Sequence, residues 1–231
     1  MGRLDFSTIL RGDHLASLGS SVLTMLELTA LTWLLAMVVG IVLALVRMSP
    51  STLMQRAVAV YVEYHQNVPM LVQIFLWYFG ISTFLPQEWQ QWLNHHGSEF
   101  FFAFISVGLA MGAYVSEALR SGIRSIPSSQ HEAARALGLT FLQSYRLVVL
   151  PQALRIALPA LISHTVLLFK NTSLAMTIGV AELTYITREI ENESFRTVEI
   201  YMVATVIYLA ISLTIMALGS RIERRTSLAG R

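Results

Sequence analysis

Five long apolar stretches constrain this chain more than anything else in its sequence. They run over 22–46, 58–85, 100–119, 153–169 and 200–218. As helices they reach about 25–40 Å at ~1.5 Å per residue, enough to cross a bilayer. Inside lipid the backbone must satisfy its own hydrogen bonds, so each stretch is expected to be helical. The alternating pattern of a barrel strand is absent. Only 13% of the residues are charged, about half the usual share of a soluble domain. Such a chain cannot cover a water-facing surface with polar groups, which excludes a soluble enzyme. The expectation is an all-α integral membrane protein, with 1–231 forming one transmembrane domain of five helices. With no cysteine, disulfides, thiolate metal sites and cysteine nucleophiles are excluded.

The basic residues are 15 arginines and one lysine, Lys170. Their placement predicts orientation, because loops that stay in the cytoplasm are enriched in them. Arg47 and Arg56 follow the first span. Arg120, Arg124, Arg135 and Arg146 follow the third, with Arg155 just beyond, and the tail carries Arg221, Arg224, Arg225 and Arg231. All of these are assigned to the inside. The 86–99 loop has neither Arg nor Lys, and 171–199 sets five glutamates against Arg188 and Arg196. Both are assigned to the outside, with the glutamates mostly a solvated acidic loop. The N-terminus then lies outside and the C-terminus inside, which requires an odd number of spans. The first 20 residues carry Arg3, Asp5, Arg11, Asp13 and His14, so no cleavable signal peptide is expected.

Within the spans, Pro69 and Pro159 should kink the second and fourth helices. Trp77, Tyr78, Trp89 and Trp92 are placed as an interfacial aromatic belt. Gly108 and Gly112 give a small-residue spacing suited to close helix contact, either within the chain or with a second chain.

The 121–152 segment is cytoplasmic and structured. Ser129 with Glu132 reads as a capping box, Gly138 as a helix stop, and Thr140 with Gln143 as a second capping box. This gives helix, glycine turn, helix, with the second helix running toward Leu150-Pro151. Ala133, Ala134, Ala136 and Leu137 suit a helix that lies in another protein's groove, flanked by Glu132 and Arg135. An ordinary hairpin packed on its own domain has the same pattern.

Glu132-Ala133-Ala134, Gly138 and Val148-Val149-Leu150-Pro151 are similar to the EAA motif of ABC importer permeases, with Val148 where that motif has Ile. Ala113-Tyr114-Val115-Ser116-Glu117, Ser121-Gly122-Ile123-Arg124-Ser125-Ile126-Pro127 and Lys170-Asn171-Thr172-Ser173-Leu174 resemble the polar amino acid branch of that family. The resemblance covers most of the chain. It implies the type I importer permease fold, with a cytoplasmic coupling helix docked on an ATP-binding subunit dimer. Glu132, Ala133, Ala134, Arg135, Leu137 and Gly138 would make that coupling. It also implies a second permease chain, identical or related, and a periplasmic amino-acid-binding protein. ATP and magnesium would be held by the partner ATPase, with no cofactor in this chain and no nucleic acid partner.

Charges inside a membrane are costly, so each is a candidate for function. Glu27 is expected to snorkel outward. Glu63 and His65 are placed to pair with Arg155 or to line an inner gate. Glu117 is expected to pair with Arg120 one turn away. His164 is placed either for a hydrogen-bonded helix contact or for a substrate contact. Lys170 precedes Asn171-Thr172-Ser173, short donors and acceptors suited to an amino acid's polar groups. Pathway candidates are therefore Glu63, Asn67, Glu117, His164, Lys170, Asn171, Thr172 and Ser173. No residues suggest a catalytic constellation or a metal site, and no phosphate-binding loop is present. Asn67-Val68-Pro69-Met70-Leu71-Val72-Gln73, Trp77-Tyr78 and Glu193-Ser194-Phe195 look most like glutamate/aspartate import permeases. Basic amino acids or glutamine are the alternative, since the intramembrane glutamates could serve a cationic ligand.

Overall fold

The computed structural model describes residues 4–226 except 8 and 10; Arg3 and Arg231 lie outside them. All regular structure among the described residues is helical. Helices α1 (Gly12–Arg47), α5 (Ser98–Arg124), α8 (Leu150–Asn171) and α10 (Thr197–Thr226) are the straight members. Between α1 and α5 lie α2 (Thr52–Asn67), α3 (Met70–Phe75) and α4 (Gln87–His95). Helices α6 (Ser128–Ala136) and α7 (Phe141–Ser144) precede α8, and α9 (Leu183–Ser194) follows it.

Helix α1 begins ten residues before the apolar stretch it contains, and α5 and α10 likewise outrun theirs. Hydropathy marks the part suited to lipid, whereas the hydrogen-bond ladder continues through polar flanks. The largest such difference is at the fourth span. Helix α7 leads into a widened turn, Tyr145–Val149, where Leu150 N–H reaches back five residues to Tyr145 O. That turn passes directly into α8, and helical structure continues from Phe141 to Ile178. Pro151 lies just past the widened turn, and the helix continues across it.

The second span is broken rather than kinked. Pro69 ends α2, and the following helical segment leaves at 109°. Carbonyls at such a break lose their helical partners. Gln73, fully buried, repairs the loss: its Nε2 donates to His65 O at 3.1 Å and to Val68 O at 2.8 Å. Its Oε1 lies 2.6 Å from His65 Nδ1. His65 is therefore committed to the bend and does not meet Arg155.

Side chains meeting glycines set how the helices pack. On α1, Leu35 and Val39 sit on Gly108 and Gly112 of α5, while Val115 of α5 sits on Gly40 of α1. The Gly108/Gly112 spacing thus serves packing within the chain. Contacts advance together along both helices, so α1 and α5 are parallel. Gly122 lets α5 touch the backbone of α8 at Ala153 O, and Ile162 of α8 sits on Gly219 of α10. Tyr61 of α2 donates to Leu109 O of α5 at 2.8 Å. Successive passes alternate in direction, with the broken segment counted as one.

At Gly122 an added Cβ would lie 2.5 Å from Ala153 O, a backbone atom that cannot rotate away. Gly122→Ala should force α5 and α8 apart and cost about 1–3 kcal/mol. Gly19→Ala meets open space and should be neutral or slightly stabilising. Thermal unfolding of both variants in one detergent checks the contrast; equal midpoints would contradict it.

Candidate functional site

The hairpin ahead of α8 is built to be held at its base and open at its tip. Helix α6 starts at Ser128 after Pro127, with no side-chain cap. The Ser129–Glu132 box does not form, because Ser129 already lies within the helix. At the other end Gly138 adopts φ +76°, a left-handed stop that costs a glycine little. Gly138 N–H and Leu139 N–H bond back to Arg135 O and Ala134 O at 2.9 and 3.1 Å. Thr140 and Gln143 make the expected capping box for α7. The base is fixed by Ile126, Val149 and Ala153 in one apolar cluster and by His131 against Tyr145, with rings 5.8 Å apart.

At the tip, Ala134 is buried, whereas Glu132, Ala133 and Arg135 are exposed. Leu137, Phe141 and Leu142 are 75–80% exposed. Three large apolar side chains grouped on one protruding turn form a surface suited to a protein partner. Helix α8 continues directly from this surface, with the widened turn at Tyr145–Val149 and Pro159 as the irregularities between Phe141 and Asn171.

The structure divides the pathway candidates into separate groups. Glu63 and Asn67 share the exposed face of α2, where Asn67 Nδ2 donates to Glu63 O at 2.7 Å and to its carboxylate at 3.0 Å. Neither Glu63 nor His65 meets Arg155, which is exposed on α8. Glu117 pairs with Arg120 as expected and also with Arg47 of α1 at 2.8 Å. His164 makes no hydrogen bond among the described residues; it contacts the Tyr114 ring at 5.6 Å, joining α8 to α5. Glu27 is exposed on α1.

Asn171, Thr172 and Ser173 do not face one space. Asn171 turns to α5, with Nδ2 at 3.7 Å from Met111 Sδ. Thr172 is fully buried and donates to Phe169 O at 2.7 Å. Ser173 and Lys170 line a groove of about 580 Å³ between α8, α9 and α10, together with Thr184, Tyr208 and Ser212. No carboxylate lines that groove, so its one charge is the Lys170 ammonium.

Beside the groove lies Glu182, expected to be solvated but completely buried. Its carboxylate accepts Tyr185 N–H at 3.0 Å, capping α9, and the Tyr208 hydroxyl at 2.9 Å. Tyr208 in turn lies 2.7 Å from Thr184 Oγ1. Burial pushes the Glu182 carboxyl above its ordinary value, and these hydrogen bonds oppose that shift only in part. Glu182 is the N-cap of α9, a position where Ser, Thr, Asp or Asn is usual, so no signal in the sequence marked it. Glu199 is also buried; it accepts Asp5 N–H at 3.2 Å and meets Arg196 at 3.5 Å.

An alternating helical bundle with an apolar-tipped hairpin carried off one end is the membrane subunit of a transporter worked by a separate protein. The chain belongs to the family of binding-protein-dependent transport system inner membrane components, whose model matches residues 36–228. It is 32% identical over 209 residues to the glutamate/aspartate import permease protein GltJ of Escherichia coli K12, covering 89% of this chain and 85% of the relative. It is 35% identical over 201 residues to the nopaline transport system permease protein NocM of Agrobacterium fabrum, covering 86% and 83%. The crystal structure of an amino acid ABC transporter with histidines superposes with a TM-score of 0.85 at 30% identity, over 97% of this chain and all of that one. The chain is thus an inner-membrane permease of an amino acid ABC importer, with ATP hydrolysis in a separate subunit.

The Glu182 carboxyl has a raised folded pKa. Its favourable contribution is full below the unfolded value near 4.5 and is lost as pH rises through the folded one. Glu182→Gln keeps an acceptor oxygen without the charge. Its unfolding midpoint should gain on the wild type progressively as pH rises from about 4.5, in paired melts across pH. A constant difference at all pH values would contradict the assignment.

Proposed function

We propose that this permease imports acidic amino acids, glutamate and aspartate, in an N-outside, C-inside orientation. The carrying observation is the groove beside Lys170, whose lining holds that ammonium and no carboxylate. A side-chain carboxylate is the ligand group such a surface favours. Glu117, the intramembrane acid best placed for a cationic ligand, is already engaged by Arg47 and Arg120. The relative named for glutamate and aspartate import supports the same reading.

In this reading the α6 tip, with Glu132, Ala133, Arg135 and Leu137, seats on an ATP-binding subunit that holds ATP and magnesium. Gly138 allows the tip to stand off α7. Closure of two such subunits moves two tips, and each α8 carries that movement across the bilayer. A second permease chain, identical or related, completes the pathway, and a periplasmic amino-acid-binding protein delivers the ligand. Asn171 and His164, on the α5 side of α8, lie outside the Lys170 groove. Glu63 and Asn67 border the bend in the second span.

The test is ATP hydrolysis by the complete complex in proteoliposomes, with its binding protein and glutamate, aspartate, glutamine, arginine and histidine supplied in turn. Glutamate and aspartate should stimulate hydrolysis, and Lys170→Met should reduce that stimulation about tenfold or more, the scale of one charge-assisted hydrogen bond. Stimulation by arginine and histidine alone would overturn the substrate class.

A further inference from the structure

At the arginine-rich end, α1, α2 and α5 enclose a cavity of about 610 Å³. Four guanidinium groups line it, from Arg47, Arg56, Arg120 and Arg124. Its one acidic neighbour is Glu117, and both Glu117 oxygens are spent on Arg47 and Arg120. The cavity therefore holds a net charge of about +3 at neutral pH. Arg56 and Arg124 make no ion pair among the described residues, so their guanidinium groups are open to an anionic ligand. The first residue of α2, Thr52, also lines the cavity. The free N–H groups of that helix end add to the positive potential.

The remaining walls are Gln55 and the apolar Ala44, Met48, Ala59 and Ile123. Next in sequence to Ala44 and Ala59 of the lining, Leu45 on α1 and Val60 on α2 are 61% and 70% exposed, apolar surface suited to acyl chains. Basic pockets between transmembrane helices at the cytoplasmic side are where anionic headgroups bind.

We propose that this cavity is a binding site for the headgroup of an anionic phospholipid of the inner leaflet. The phosphodiester accepts from the guanidinium groups of Arg56 and Arg124, and the acyl chains run along the exposed sides of α1 and α2. The bound lipid ties the α1–α2 connection to α5 beside the base of the coupling hairpin.

The test uses the full permease assembled with its ATPase, in micelles doped with phosphatidylglycerol, cardiolipin or phosphatidylcholine, with retained lipid read by native mass spectrometry. The variant is Arg56→Gln with Arg124→Gln, which leaves the Arg47–Glu117–Arg120 network intact. Wild-type complex should retain phosphatidylglycerol or cardiolipin and not phosphatidylcholine. Loss of two charges should weaken retention about 30-fold, and Arg56→Lys with Arg124→Lys should restore most of it. Equal retention by the glutamine variant, or equal retention of phosphatidylcholine, would overturn the proposal. So would inorganic phosphate at equal concentration displacing the lipid, which would mark a free-anion site. Retention by the lone chain but not by the assembled complex would overturn it as well, by giving the cavity to a partner.

Discussion

Every backbone N–H and C=O that enters lipid needs a partner supplied by the chain itself, and the structure follows from that requirement. It makes the apolar stretches helical and makes each interruption of a helix conspicuous. The sharpest interruption, at Pro69, is tolerated because Gln73 donates to two carbonyls at the bend. Where helix continues instead, through Pro151 and Pro159, the result is one helical segment from the coupling hairpin to Ile178. The break and the continuous segment are two outcomes of one constraint. One gives a span that is bent and locally buttressed, the other a span whose helix is continuous.

The hydrophobic effect does little to join helices in lipid, so close contact must do it. Leu35, Val39, Val115 and Ile162 each sit over a glycine of a neighbouring helix. These contacts fix α1, α5, α8 and α10 as a frame. The ion pairs then lie at its ends. The Arg47–Glu117–Arg120 network closes one end, and Asp5, Arg196 and Glu199 close the other. The bundle interior between them is occupied by apolar clusters and by hydroxyls that bond back to their own helix, such as Ser106 and Thr172.

Much of this was legible in the sequence. Four of the five stretches became long apolar helices and the other the broken segment, the Glu132–Pro151 segment gave the hairpin, and Gly138 and the Thr140–Gln143 box were located to the residue. What escaped was whatever depends on distant partners. Nothing local in Pro69 distinguishes a kink from a 109° break; the difference lies in Gln73 closing back on His65. Glu182 looked like four other loop glutamates until α10 brought Tyr208 to it. Asn171, Thr172 and Ser173 looked like one polar surface, yet consecutive residues on a tight helix point in different directions. The helix boundaries of the fourth span were missed because hydropathy reports lipid exposure, not hydrogen bonding.

The central mechanical claim is that the coupling hairpin and the fourth span move as one body. The chain has no cysteine, so a pair can be introduced without background. Leu142 and Thr177, both exposed and near opposite ends of that helical segment, are substituted with cysteine and spin-labelled in one permease copy of the assembled transporter. Their separation, about 52 Å at ~1.5 Å per residue, is measured by pulsed electron–electron resonance without nucleotide and with nucleotide trapped. The rigid-rod account predicts the same distance in both states. A change of several ångströms on nucleotide trapping would show that the helix flexes, most readily at Tyr145–Val149, and that coupling does not travel as a rigid body.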